Sequence, residues 1–173
     1  MTPAVRRLRP DDAPALVSLR REALESEPLA FAASVEDDRL SLDFARTILA
    51  AEQDQAVFGL FLGPDLAGMV GVVRGSTVKQ RHRGMIWGMY VAPRARHRGM
   101  GRALLEMAIA HARRWPGIEQ LDLTVSDTGV IAKRLYESAG FRSWGREPRS
   151  LQWDGQFVDD HHMVLDLRDP AGA

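Results

Sequence analysis

The chain has 173 residues, 45% hydrophobic and 27% charged, and its 23 basic side chains are balanced by 23 acidic ones. That length suits one domain with a substantial core, expected to span 1–173, and zero net charge supplies no overall field to draw the protein onto nucleic acid or a membrane surface. The absence of cysteine excludes disulfides, thiolate metal sites and a cysteine nucleophile.

Val5 to Arg9 reads as a short first strand. Asp11 and Asp12 then offer an N-cap, Pro14 is tolerated in the first helical turn, and Leu16, Leu19 and Ala23 give that helix an apolar face. Glu27-Pro28 ends it, and Ser34 is expected to cap a second helix in which Leu40, Phe44 and Ile48 recur at helical spacing. Val57 to Leu62 and Leu66 to Val73 predict a hairpin turning at Gly63-Pro64-Asp65. Arg81-His82-Arg83 reads as a solvated turn, and another strand is expected from Met85 to Ala92.

Beyond Pro93 the pattern changes. Arg94, Arg96, His97, Arg98 and Arg102 crowd a short turn that also holds Gly99 and Gly101, and an apolar helical pattern follows. The first N–H groups of a helix lack internal partners and carry the positive end of its dipole, and glycine lets a ligand approach them closely. Such a turn suits phosphate. It lacks the third glycine of the dinucleotide fingerprint and the Gly-Lys-Ser/Thr of a P-loop, and the competing reading is a solvated basic loop. The helix is apolar nearly all round apart from Arg102, Glu106 and Arg113, so it is expected to pack on a sheet.

Trp115-Pro116-Gly117 stops that helix, Ile118 to Val125 reads as a strand, and Asp127 or Thr128 is expected to cap the next helix. Gly129 and Ala132 lie seven and four positions before Tyr136, on one face of this helix, so small residues clear a strip with the phenol at its end. Gly140 stands where a left-handed C′ residue is wanted, with Phe141 to make the accompanying apolar contact. Strands at about Arg142 to Arg149 and Gln156 to Leu167 complete the chain, and the tail after Asp169 is expected to fray. Asp159-Asp160-His161-His162 invites a metal reading, but strand alternation keeps the four side chains from converging, and no metal is expected. Mixed helices and hairpins imply an α/β or α+β layer structure. No run is long and apolar enough to span a bilayer, and the start lacks the pattern of a secretory leader, so a cytoplasmic location is expected.

Arg96-x-x-Gly99-x-Gly101 resembles the pyrophosphate-binding motif of the GNAT N-acetyltransferase superfamily, Arg/Gln-x-x-Gly-x-Gly/Ala. It follows Met89 to Pro93, which looks like the end of that family's central strand. Ala132-Lys133-Arg134-Leu135-Tyr136-Glu137-Ser138-Ala139-Gly140-Phe141 is similar to its second signature, Ala-x-x-Leu-Tyr-x-x-x-Gly-Phe. The segment from Arg20 to Ser34 and the strand from Met163 to Leu167 extend the likeness over nearly the whole chain.

The resemblance implies the GNAT fold, a twisted, mostly antiparallel mixed sheet flanked by helices, with acetyl-CoA in the V between splayed fourth and fifth strands. By the same likeness, Arg96, His97, Arg98, Gly99, Met100, Gly101, Arg102 and Ala103 hold the pyrophosphate. Met89, Tyr90 and Val91 run beside the pantetheine arm, and one of their amides faces the thioester carbonyl. Ser126, Gly129 and Ala132 border the ligand, and Tyr136 is the general acid that protonates the departing thiolate.

Two departures stand out. Gly129 replaces an asparagine found in many members, so one contact to pantetheine or to the loop is either missing or supplied by Ser126. Where several members carry a Glu or His base, Met85, Trp87 and Met89 cannot take a proton, so the base falls to a water chain or to Glu22, Glu25 or Asp122. Trp87, Tyr90, Trp144 and Trp153 are candidate linings of an acceptor pocket.

The implied activity is transfer of acetyl from acetyl-CoA to a primary amine of a small molecule or peptide by direct attack, with no nucleic-acid or membrane partner; homodimers are common in the superfamily. One alternative is a catalytically silent acyl-CoA-binding sensor, motivated by the missing base and Gly129. Another is nucleic-acid binding through the arginine loop, against which the neutral charge counts.

Overall fold

Val57 to Leu62 and Leu66 to Val73 hold scarcely a polar side chain, and in the structure, a computed structural model describing residues 3–97 and 99–168, both faces of this hairpin are covered. Its strands are β2 (Gln55–Leu62) and β3 (Asp65–Arg74), joined at Gly63 with φ +63°. Around them lie β1 (Pro3–Arg7), β4 (Arg83–Val91), β5 (Gln120–Ser126), β6 (Arg142–Trp153) and β7 (Gln156–Asp166). Among the described residues these seven strands form one sheet in the order β1-β2-β3-β4-β5-β7-β6, antiparallel throughout except for β4 beside β5. Helices α1 (Ala13–Ser26) and α2 (Leu42–Ala50) cover one face, where Leu16, Leu19 and Ile48 meet Val57, Phe61 and Met69. Helices α3 (Met100–Ala112) and α4 (Val130–Ser138) lie on the other face, where Leu104, Leu105 and Tyr136 meet Phe58, Val70, Leu121 and Phe141. This is the α/β layer structure expected from the pattern of elements. No helix among the described residues is long and apolar enough to cross a membrane.

Several local expectations need correction. Ser34 caps no helix: its N–H and Oγ both donate to Asp37 Oδ1, at 2.6 and 3.1 Å, which closes a turn. The cap of α2 is Ser41, whose Oγ accepts from Phe44 N at 3.2 Å. Neither Asp127 nor Thr128 caps α4; Gly129 holds that place, because Ser126 Oγ takes the Thr128 amide at 3.3 Å. Arg81-His82-Arg83 is not simply solvated, since Arg81 grips Asp54 with two bonds of 2.6 and 3.0 Å, and Arg83 reaches Asp122 at 2.9 Å. Strand β6 runs past Arg149 to Trp153 and turns at Asp154 and Gly155, both with positive φ, the Asp-Gly signal of a tight hairpin. The end of α4 is as expected: Phe141 N donates to Tyr136 O and Gly140 N to Glu137 O, each at 3.0 Å, with Gly140 at φ +96° and Phe141 buried. The tail after Asp169 lies outside the described residues.

At the C-terminal end of α3 a cavity of about 740 Å3 is lined by Arg7, Arg74, Arg81, Arg114 and Asp54. Its guanidinium groups are committed to the protein: Arg7 donates to Ala51 O and Gln55 O, and Arg74 donates to Arg81 O and Pro116 O. His111 is buried beside it, with its ring edge-on to Phe58 and Trp115 at 5.5 and 5.7 Å. Its Nδ1 accepts from Arg114 Nη2 at 2.5 Å, which leaves the proton on Nε2, a buried atom without a partner among the described residues. Burial first, then Arg114 and Arg7, holds its pKa below the usual histidine value. Because the fold resists protonation here, the stability this ring contributes is present above about pH 6.5 and is lost as pH falls through its lowered folded-state pKa. The substitution His111→Phe keeps the ring and removes the orphan donor. We expect it to change stability at neutral pH by less than about 1.5 kcal/mol and to flatten the acid-side fall in melting temperature, as measured by calorimetry between pH 7.5 and 5.

Candidate active site

The parallel pair is where the sheet opens. β4 and β5 pair only at Arg83↔Gln120, Gly84↔Leu121 and Met85↔Asp122. From Ile86 and Leu123 onward the two strands part, so each presents an unpaired backbone edge to the gap. Within β4 the register slips between Met69↔Tyr90 and Gly71↔Trp87, so Val70 opposes both Gly88 and Met89. Gly88 takes φ +63°, which an L side chain rarely adopts, and this bulge bends β4 away from its neighbour. A glycine inside an apolar strand run is the sequence signal for it.

The gap is a cleft of about 100 Å3. Of the residues expected at the site, it gathers Met89, Ser126, Gly129, Ala132 and Tyr136. It also takes in Trp87, expected as an acceptor-pocket lining, together with Gly88, Thr124 and Phe31. At Gly129 a Cβ would come within 3.1 Å of Ser126 O and of Val125 Cγ2, so even alanine crowds this wall. Tyr136 is 6% exposed, with its ring edge-on to Phe141 at 6.0 Å, and burial pushes its phenol well above the ordinary value. The hydroxyl therefore keeps its proton throughout the physiological range.

The glycine-arginine turn adjoins the same cleft. A Cβ on Gly101 would stand 3.3 Å from Leu135 of α4 and 3.5 Å from Met89 of β4. His97 and Gly99 both take positive φ, +65° and +71°, which swings the chain into α3. Gly99 is the N-cap of α3 and has no side chain to satisfy the first turn; Ala103 N bonds Gly99 O at 3.1 Å. Among the described residues the amides of Met100, Gly101 and Arg102 meet no backbone acceptor. Arg98 lies outside the described residues.

The arginine side chains behave differently from what their density in the sequence suggests. Arg96 turns back, donating through Nε to Val91 O and through Nη2 to Glu27 Oε1, both at 2.8 Å. Arg94 pairs with Glu22 at 3.0 Å and donates to Leu66 O. Arg102 pairs with Glu106 at 2.7 Å and donates to Ser138 Oγ at 3.1 Å, which ties α3 to α4. These three charges are balanced by carboxylates, so among the described residues what the turn could offer an anion is chiefly its first-turn N–H groups and the helix dipole.

Tyr90 is not in the cleft. Its ring lies on the α1 side, buried, with the hydroxyl 3.1 Å from both Ser26 Oγ and Glu22 Oε1, and burial raises its pKa. Val91 packs against the α3 face and offers its carbonyl to Arg96. Of the carboxylates considered as bases, Glu22 is held by Tyr90 and Arg94, Asp122 by Arg83 and Gln120, and Glu25 is exposed on α1. Trp87 lines the cleft, Trp144 is 65% exposed against His162, and Trp153 lies near the tip of the β6–β7 hairpin.

Comparison with known proteins places this geometry. The family model for the acetyltransferase (GNAT) family matches residues 15–141. A mycothiol acetyltransferase of Propionibacterium freudenreichii subsp. shermanii is 32% identical over 136 residues, which is 77% of this chain and 41% of that protein. A mycothiol acetyltransferase of Thermobispora bispora is 41% identical over 61 residues, 35% of this chain and 20% of that protein. The chain thus spans less than half the length of these curated relatives. Among solved structures, a GNAT-family acetyltransferase from Streptococcus pneumoniae superposes with a TM-score of 0.86 at 26% identity, covering 96% of this chain and all of that one. The structure of yncA from Salmonella typhimurium with its cofactor acetyl-CoA gives 0.84 at 22% identity, covering 99% and 98%. The match across both glycine motifs, together with the opened β4–β5 pair, makes the chain a member of the GNAT acetyltransferase family.

Proposed function

We propose that the protein transfers an acetyl group from acetyl-CoA to a primary amine by direct attack, with acetyl-CoA seated in the β4–β5 cleft. The observation that carries this reading is the continuity of three features: first-turn amides at Met100–Arg102 that meet no backbone acceptor among the described residues, a β4 edge that does not pair with β5 beyond Met85, and a strip of small residues ending at Tyr136. The first suits a diphosphate, the second an extended amide-bearing arm that pairs like an added strand, and the third the narrow passage of a thioester. Gly129 and Ala132 keep that passage open.

In the reaction a C–N bond forms, the C–S bond breaks, and the departing thiolate must be stabilised. Tyr136 serves as the proton donor to sulfur. Its raised pKa keeps the phenol protonated and so available as that donor. With no cysteine in the chain, the acyl group passes directly to the amine and not through a thioester on the protein. The test is thiol release from acetyl-CoA measured against a panel of small amines and peptide N-termini. Turnover of at least one amine supports the reading; saturable CoA binding with no turnover of any amine favours the silent sensor instead.

A further inference from the structure

The β5 wall of the cleft carries a hydrogen-bonded chain that the motifs do not contain. Thr124 on β5 borders the gap, and its register partner on β7 is His162. Thr124 Oγ1 lies 3.3 Å from His162 Nδ1, and His162 Nε2 lies 3.0 Å from Glu147 Oε2 on β6. A carboxylate only accepts, so Glu147 fixes the proton on Nε2 and leaves Nδ1 to accept from the Thr124 hydroxyl. The ring is packed on one face. Trp144, the extra residue where β6 slips between Ser143 and Gly145, lies over it at 5.4 Å, and Gly145 leaves room beneath it, with a Cβ there 3.9 Å from the His162 Cβ. The His162 and Glu147 side chains are 32% and 58% exposed, so the pair adds little to stability and can pass a proton to water. Of the other charged groups near this end of the sheet, Asp122 is held by Arg83 and Asp159 by Arg146 and the Arg149 amide, while Asp160, opposite both Ser126 and Glu147 in register, and His161 have no side-chain partner among the described residues.

Resting on the acetyl-transfer reading above, the geometry points to Thr124–His162–Glu147 as the relay that takes the proton from the attacking amine. As the C–N bond forms, the nitrogen gives its proton to Thr124 Oγ1, and the Thr124 hydroxyl proton moves to His162 Nδ1. Glu147 balances the resulting imidazolium, which then releases the proton to solvent. Thr124 is the group that touches the amine; His162 and Glu147 act through it as positioning and proton-storing residues.

His162→Ala and Thr124→Val each lower kcat by roughly 10²-fold or more with little change in KM, and the double variant is no worse than either single one. The affinity for CoA, measured by calorimetry, stays within twofold of wild type in all three. Millimolar imidazole restores part of the rate of His162→Ala but none of that of Thr124→Val, a distinction a purely structural histidine does not produce. Nitrogen-15 NMR of the free protein shows the His162 ring protonated at Nε2 and bare at Nδ1, and Glu147→Gln erodes that preference. A His162→Ala enzyme with kcat within twofold of wild type, or a ring protonated at Nδ1, overturns the relay while leaving acetyl transfer intact. If the wild-type protein turns over no amine, acetyl transfer fails and the relay falls with it.

Discussion

Gly99→Glu is expected to weaken CoA binding by about 10²- to 10⁴-fold. Gly99 takes φ +71° with nothing within 4 Å of a built Cβ, so the new side chain fits in space and pays only the left-handed penalty of about 1–2 kcal/mol. The damage comes from charge and competition. A carboxylate at the N-cap of α3 engages the amides of Met100–Arg102 that the diphosphate needs. Losing two charge-assisted hydrogen bonds of about 1.5–3 kcal/mol each gives the range stated. Gly117→Glu is the control, because Gly117 has nearly the same backbone, φ +70° and open space, in the turn after the far end of α3. Gly99→Glu should lose no more stability than Gly117→Glu, since its carboxylate caps α3, and only Gly99→Glu should lose affinity in calorimetric titration with CoA. Affinity within threefold of wild type in Gly99→Glu would contradict the assignment of the turn.

Tyr136→Phe is expected to lower kcat by about 10²- to 10⁴-fold while leaving CoA affinity within threefold. The phenyl ring preserves the contact with Phe141 and the buried volume, so the fold should be as stable as before or slightly more so. Because burial holds the phenol well above its ordinary pKa, the wild-type rate should show no loss from tyrosine ionisation up to about pH 10. A steady-state comparison of the two proteins from pH 6 to 10 checks both statements. Equal kcat values would remove Tyr136 from the chemistry.

How much of this was legible in the sequence depended on the range over which each feature is determined. The Gly63-Pro64-Asp65 turn, the α3 stripe at Arg102 and Glu106, and the Gly140-Phe141 helix end are fixed by neighbours within a few residues, and all stand where local chemistry puts them. Ser34 and Ser41 are both competent caps; which one starts a helix was decided by Asp37, whose carboxylate captured Ser34 first. The arginines of the glycine turn looked like a free basic patch because the partners of Arg94 and Arg96, Glu22 on α1 and Glu27 just after it, stand some seventy residues earlier in the chain. His162 was read only as part of a polar run, since its meaning comes from Thr124 and Glu147 on neighbouring strands. Periodicity along one strand gives the face of a residue but not the strand that will lie beside it.

The brief pairing of β4 with β5 has a mechanical consequence. Along that join the two parts of the sheet, β1–β4 and β5–β7, are laced by three rungs, and the Arg83–Asp122 ion pair sits at the same root. So short a join acts as a hinge, restrained further by the α3–α4 core that packs on both parts: a tilt about it shifts Met89 and Tyr136 relative to each other at the wide end. Side chains at the apex, remote from any reacting atom, thereby set the width of the mouth, and changes there translate into misalignment where alignment matters most.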